Sequence, residues 1–162
     1  MSVINFTGIK KEEAGAIVSK LGDLLANVQV FYANMRGFHW NIKGKQFFTL
    51  HKQFEDQYDY LSDKIDEIAE RILALGGTPE NNFSQYLKIS SIKEISALCC
   101  EDEIVKSLLD SYKIIIAKER EIVSLASDCN DEATVNMFGD YLEDQEKTVW
   151  MFDSFLAVPC KA

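Results

Sequence analysis

The side chains best suited to metal chemistry in this chain are two histidines and a set of acids at helical spacing. His39 and His51 are the only imidazoles. His51 and Glu55 are four residues apart, as are Asp66 and Glu70, and that spacing sets two side chains on one helix face a turn apart. At about 100° per residue, all four project within an arc of roughly 100°. They flank the apolar stripe of Phe54, Tyr58, Leu61 and Ile65, whereas Asp56, Asp63 and Glu67 point away from it. Mixed imidazole and carboxylate ligands suit iron, zinc or manganese and leave coordination positions open, and affinity order does not choose among the three.

Distance constrains how these groups combine. At about 1.5 Å rise per residue, His51 and Glu70 lie roughly 28 Å apart along one straight helix, too far to hold the same ion. Two copies of that helix packed antiparallel about a two-fold axis bring the His51 and Glu55 end of one against the Asp66 and Glu70 end of the other, twice. The spacing therefore favours sites shared between subunits. Intrasubunit di-iron bundles use Glu-x-x-His motifs. Here Arg36 and Phe48 stand three residues before the histidines, so no such site is expected.

The elements that must position these residues are legible as apolar stripes with a period near 3.6. The first runs Ile17, Leu21, Leu24, Val28, Phe31, Met35, Phe38, broken near Asn41 and Gly44. The second runs Phe47, Phe54, Tyr58, Leu61, Ile65, Ile68, Ile72, Leu75 and stops at Gly76, Gly77 and Pro79, by the usual glycine cap and proline block. A crossover follows from about Glu80 to Leu98, in which Ser91 and Glu94 look like a capping box opening a short helix. The third stripe is Ile104, Leu108, Tyr112, Ile115, Ile122, Leu125, and the fourth is Val135, Phe138, Leu142, Val149, Phe152, Leu156. Asn130 and Asp131 punctuate the junction between them, and Pro159 closes the last. Short first and last connections with one long middle one predict an all-α, ferritin-like four-helix bundle, with a short helix in the crossover between helices 2 and 3. No β pattern, repeat or shift in composition divides residues 1–162, so one domain with a short N-terminal tail over 1–10 is expected.

Composition excludes several classes. With 162 residues, 47% of them apolar and 27% charged, the chain is long enough to bury a core and too apolar to be disordered. Its formal net charge of −9 argues against nucleic acid as partner. No stretch approaches the ~20 apolar residues of a spanning helix, and Met1 to Lys11 lacks the apolar core of a signal peptide, so a cytoplasmic protein is expected. Cys99, Cys100, Cys129 and Cys160 form no Cys-x-x-Cys pair and are read as reduced thiols. Nothing around Cys99 and Cys100 supplies a haem motif, and free cysteines in a bundle are usually small hydrophobes.

One long motif carries a family resemblance. The stretch Arg36-Gly-Phe-His-Trp-Asn-Ile-Lys-Gly-Lys-Gln-Phe-Phe-Thr-Leu-His51, then Asp66-Glu-Ile-Ala-Glu70-Arg-Ile and Leu75-Gly-Gly-Thr-Pro79, resembles the bacterial Dps-type mini-ferritins. The likeness extends over nearly the whole chain, to the closing Glu-Lys-Thr-Val-Trp150. It implies a homo-oligomeric hollow shell of twelve subunits with iron sites at two-fold interfaces. His39, His51 and Glu55 would come from one subunit and Asp66 and Glu70 from its partner. The implied activity is a ferroxidase that oxidises Fe(II) to Fe(III), with hydrogen peroxide preferred over dioxygen, and stores a ferric mineral. Pairing two one-electron donors with a two-electron oxidant avoids releasing hydroxyl radical. The family usually has Asp where this chain has Glu55, which keeps the charge but shifts the oxygen.

The resemblance also marks secondary positions. Trp40 is a candidate to intercept stray oxidising equivalents or to pack at an interface. Arg36 is a candidate to tune the site or to pair with a carboxylate. Asp128, Asp131 and Glu132 are candidates for an acidic three-fold channel or for helix capping, and Asn136 stands where many relatives carry an acid. The alternative functions are DNA condensation, for which the termini offer only Lys10, Lys11 and Lys161, and a structural bundle whose histidines and acids merely satisfy one another.

Overall fold

The computed structural model describes residues 3–157, which are helical with no strand among them. Pro159, Cys160 and Lys161 lie outside the described residues. The elements are α1 (Ile4–Thr7), α2 (Lys11–Asn41), α3 (Phe47–Ala74), α4 (Phe83–Ile89), α5 (Glu101–Asp128) and α6 (Glu132–Leu156). The four long helices carry 31, 28, 28 and 25 residues, and their apolar stripes meet in one hydrophobic cluster. Short links make α2 with α3, and α5 with α6, two antiparallel hairpins, and the 26-odd-residue path between them is the expected long crossover. The result is the ferritin-like four-helix bundle that the connection lengths predict.

Helix α2 lies innermost, packing on α3, α4 and α5. Two asparagines on its buried face, Asn27 and Asn34, anchor the crossover. Asn27 Oδ1 accepts from the Ser91 and Ile92 amides at 2.9 and 3.2 Å. Asn34 donates to the Lys93 carbonyl at 2.8 Å and accepts from the Ile95 amide at 2.9 Å. These bonds correct one expectation. The short helix exists, but it is Phe83–Ile89, and Ser91 with Glu94 opens no helix. The main-chain groups that a capping box would feed into a helix turn are taken by α2 instead, a tertiary competitor to local propensity.

The ends of the long helices follow their sequence signals. Gly76 has φ of 79°, the left-handed conformation that stops α3 cheaply. Asp131 caps α6 by accepting from the Thr134 amide at 3.2 Å, and Arg71 of α3 reaches the same carboxylate at 2.5 Å. Burial raises the pKa of Asp131, but Arg71 and Thr134 outweigh it and leave the acid below its usual range. Only 2% exposed, Asp131 is a cap and ion-pair partner rather than a channel-lining acid, while Asp128 and Glu132 are exposed. Within the expected N-terminal tail, the short helix α1 buries Ile4 against the cluster.

One acid sits inside the bundle. Glu119 of α5 is 1% exposed, and burial pushes its carboxyl from 4.5 up to about 8, with the Gln145 hydrogen bond and the Lys64 charge opposing. A carboxyl whose folded value is raised favours the fold fully below 4.5 and loses that contribution as pH rises to about 8. The loss is at most about 1.4 kcal/mol per pH unit. Glu119→Gln should therefore flatten the decline of thermal stability across that window, with its largest gain over wild type at the alkaline end. Parallel melting curves for the two proteins would show this to be wrong.

Candidate metal centre

The two histidines meet at the turn end of the α2 and α3 hairpin. His39 lies two residues before the end of α2 and His51 in the second turn of α3. Their rings stack with centroids 3.8 Å apart and planes 21° from parallel. Each ring is tied to the other residue's main chain: His39 Nδ1 lies 2.8 Å from the His51 carbonyl and His51 Nδ1 lies 2.9 Å from the His39 carbonyl. A carbonyl oxygen only accepts, so both Nδ1 atoms carry hydrogen. In the neutral ring each Nε2 then keeps a lone pair, the arrangement a metal-ligating imidazole requires.

The local backbone explains why the His39 carbonyl is available. A continuing helix would give it the Lys43 amide, but that amide bonds to the Cys99 carbonyl at 3.2 Å. The vacated helix-end acceptor is taken by the His51 ring. The turn itself is held by Glu101, at the start of α5, whose Oε1 accepts from the Gln46 amide at 3.0 Å. Gly44 makes room for that carboxylate: it has φ of 129°, and a Cβ there would lie 2.2 Å from Glu101 Oε1.

Aromatic walls complete the imidazole pair. Phe47 stacks on His51 at 4.9 Å, and Tyr58 meets His39 edge-on at 5.3 Å. Glu55, one turn beyond His51, is bound to Lys52 at 3.0 Å. Lys52 foremost, with the His39 ring contributing, holds the Glu55 carboxyl below its usual range, so Glu55 presents a charged oxygen beside the imidazoles. Lys52 also pairs with Asp56 at 2.9 Å.

Asp66 and Glu70 are placed quite differently. They lie on the same uninterrupted α3, exposed, and make no side-chain hydrogen bond or ion pair among the described residues. No group of three His, Cys, Asp or Glu side chains is positioned to hold a metal ion among the described residues of one chain. The structure thus brings together His39 and His51, sets Glu55 beside them, and leaves Asp66 and Glu70 far down the helix. Glu67, read from the sequence as pointing away from the core, is exposed and also accepts a hydrogen bond from the buried Tyr141 hydroxyl.

The secondary candidates resolve in part. The Arg36 guanidinium lies 5.4 Å from the Tyr32 ring centroid and 4.8 Å from that of Trp40, and it makes no ion pair among the described residues. Trp40 is 64% exposed beside His39. Cys99 and Cys100 are exposed and free. Sequence reasoning missed Tyr58, which it assigned wholly to the core stripe, and the Gly44 and Glu101 contact, which joins residues far apart in the chain. The Lys52 and Glu55 pair had a local signal in its three-residue spacing.

Comparison with known proteins agrees with this architecture. A family model described as a ferritin-like domain matches residues 18–159. The chain is 48% identical over 153 residues to a DNA protection during starvation protein of Porphyromonas gingivalis, covering 94% of this chain and 96% of that one. The crystal structure of a Dps protein from Vibrio cholerae, described as a member of a superfamily of ferritin-like diiron-carboxylate proteins, is 43% identical. It superposes with a TM-score of 0.90 over 92% of this chain and 94% of that one. A Dps structure from Bacillus brevis has a TM-score of 0.87 at 34% identity, over 92% of this chain and all of that one (100%). The chain belongs to the ferritin-like family and, within it, to the Dps-type mini-ferritins.

Gly44→Ala should cost about 1 to 3 kcal/mol, because it strains the backbone and evicts Glu101 from the Gln46 amide. In a Glu101→Ala background the cost should shrink to the backbone part. Thermal or denaturant unfolding of the four proteins measures this, and strictly additive effects would mean the two residues do not touch.

Proposed function

We propose that two copies of this chain pair head to tail, so that His39, His51 and Glu55 of one copy and Asp66 and Glu70 of the other bind Fe(II) as substrate. The site oxidises Fe(II) to Fe(III) with hydrogen peroxide, and the ferric product is stored as mineral inside a shell of twelve subunits. The supporting observation is the pair of stacked imidazoles with Nδ1 committed to the main chain and Nε2 left for a ligand, at one end of a helix whose other end carries two unpaired acids. Neither cluster is a metal site by itself, and each supplies what the other lacks.

The chemistry follows from the donor set. Two Fe(II) ions give up one electron each and the oxygen-oxygen bond of peroxide takes both, leaving water or hydroxide and no hydroxyl radical. Carboxylate oxygens from Glu55, Asp66 and Glu70 favour the harder Fe(III) product, and the imidazole lone pairs hold the ferrous ion before oxidation. The fixed tautomers mean that the rings need not reorganise when the metal arrives. The family's diiron-carboxylate membership supports an oxidoreductase acting on metal ions, with iron storage and protection against oxidative damage as its roles.

Subunit sharing has a direct test. His51→Ala and Asp66→Ala should each abolish peroxide-driven Fe(II) oxidation in the anaerobically loaded protein. Mixed at random in one assembly, they should recover about a quarter of the wild-type sites, because an intact site then takes its imidazole end from one variant and its acid end from the other. No recovery on verified co-assembly would place the site within one chain.

The second reading is DNA condensation, which the starvation-protection name of the relatives brings forward. A formal charge of −9 per chain, multiplied across an assembly, opposes a polyanion. Gel-shift titration should show no retardation at about 150 mM salt, where surface charges are screened beyond ~8 Å. Tight, salt-sensitive retardation would reverse the ranking.

A further inference from the structure

One charged side chain at the candidate metal centre has no part in the proposed iron chemistry. Lys52 directly follows His51 in the second turn of α3. Its ammonium lies 3.0 Å from Glu55 Oε2 and 2.9 Å from Asp56 Oδ1, so one cation bridges two carboxylates. Only one of those acids, Glu55, stands in the candidate ligand set. Helix stability does not account for the arrangement, because the order that supports a helix sets the acid one turn before the lysine. Here both acids come after it.

The surroundings make Lys52 the cation that answers to Glu55. Arg36, also one turn from His39, lies over the Trp40 and Tyr32 rings instead, and no other ion pair reaches Glu55 among the described residues. A carboxylate that accepts from an ammonium has part of its charge offset and an oxygen committed, so a divalent cation must compete for it. Asp56 eases that competition. The Lys52 ammonium already touches it, so when Glu55 turns to a metal the ammonium keeps one carboxylate and is never left unpaired. Lys52 and Asp56 are exposed and Glu55 is half-buried, so the exchange needs side-chain rotation alone and leaves the core as it is.

We propose that Lys52 is a positioning residue that holds Glu55 while the centre is empty and passes wholly to Asp56 when a divalent cation takes Glu55. The inference rests on the reading of Glu55 as an iron ligand given above. In the empty state the ammonium offsets a carboxylate that, in the proposed pair of copies, faces two further acids across the interface. In the filled state the metal ion supplies that positive charge, and Lys52 is no longer needed there. The device sets a threshold for metal binding, because an existing ion pair must open first. An exposed pair of this kind changes an equilibrium by up to about fivefold.

Anaerobic titration of the assembled full-length protein with cobalt(II), read by its d–d absorption, tests this without any turnover. Lys52→Met, which keeps the stem and removes the ammonium, should bind cobalt about two- to fivefold more tightly than wild type. Asp56→Asn, which takes away the second carboxylate, should bind it more weakly by about the same factor. In the double variant most of that weakening should vanish, since no ammonium is left to hold Glu55. Equal weakening by Asp56→Asn in both backgrounds would mean that the two residues act only through their charges, and it would overturn the proposal. Unchanged or weaker binding by Lys52→Met would overturn it too. A wild-type protein with no cobalt spectrum that His51→Ala abolishes would instead remove the iron-site reading itself, and this inference with it.

Discussion

Each of the two imidazoles gives its Nδ1 hydrogen to the other residue's main-chain carbonyl, and the candidate centre rests on that exchange. It joins the last turn of α2 to the early turns of α3, so the geometry of the hairpin and the orientation of the rings are set by the same pair of bonds. A helix end normally leaves carbonyls that must find partners. Here one of those carbonyls takes an imidazole hydrogen, and structural necessity selects the tautomer that ligation needs. The Cys99 carbonyl and the Glu101 carboxylate support the arrangement by taking the Lys43 and Gln46 amides.

The second constraint is the straightness of α3. One unbroken helix from Phe47 to Ala74 carries both the imidazole end and the acid end, and a rigid rod cannot fold back to join them. The Dps-type reading and the geometry of the single chain are therefore consistent in a particular way: the chain presents two complementary half-sites. The proposed two-fold pairing completes both at once, which ties the chemistry to assembly.

Buried polar groups shape the rest of the bundle. Asn27 and Asn34 hold the crossover by satisfying its amides and carbonyls, which fixes the connection between hairpins without a long helix of its own. Asp131 is drawn from a surface role into an ion pair with Arg71. Glu119 and Gln145 are retained in an otherwise apolar cluster, where they set a pH dependence that hydrophobic residues would not.

The sequence by itself determined the number, period and approximate ends of the long helices, because burial of one face demands apolar residues every three or four positions, Gly76 ends α3 through its backbone freedom, and Asp131 starts α6 through its side-chain cap. Side-chain type and helical spacing, which are local facts, also singled out His51, Glu55, Asp66 and Glu70 as candidate ligands and set the length of the rod between them, while His39 joined the set through the resemblance to the Dps-type proteins. Only the tertiary structure decided which hydrogen each histidine ring carries, the role of Gly44 against Glu101, the extended path of residues 90–95 in place of a capped helix, and the burial of Glu119. Each of those depends on a partner many residues away in the chain. A periodic pattern shows that a face is buried, but it does not name what lies against that face.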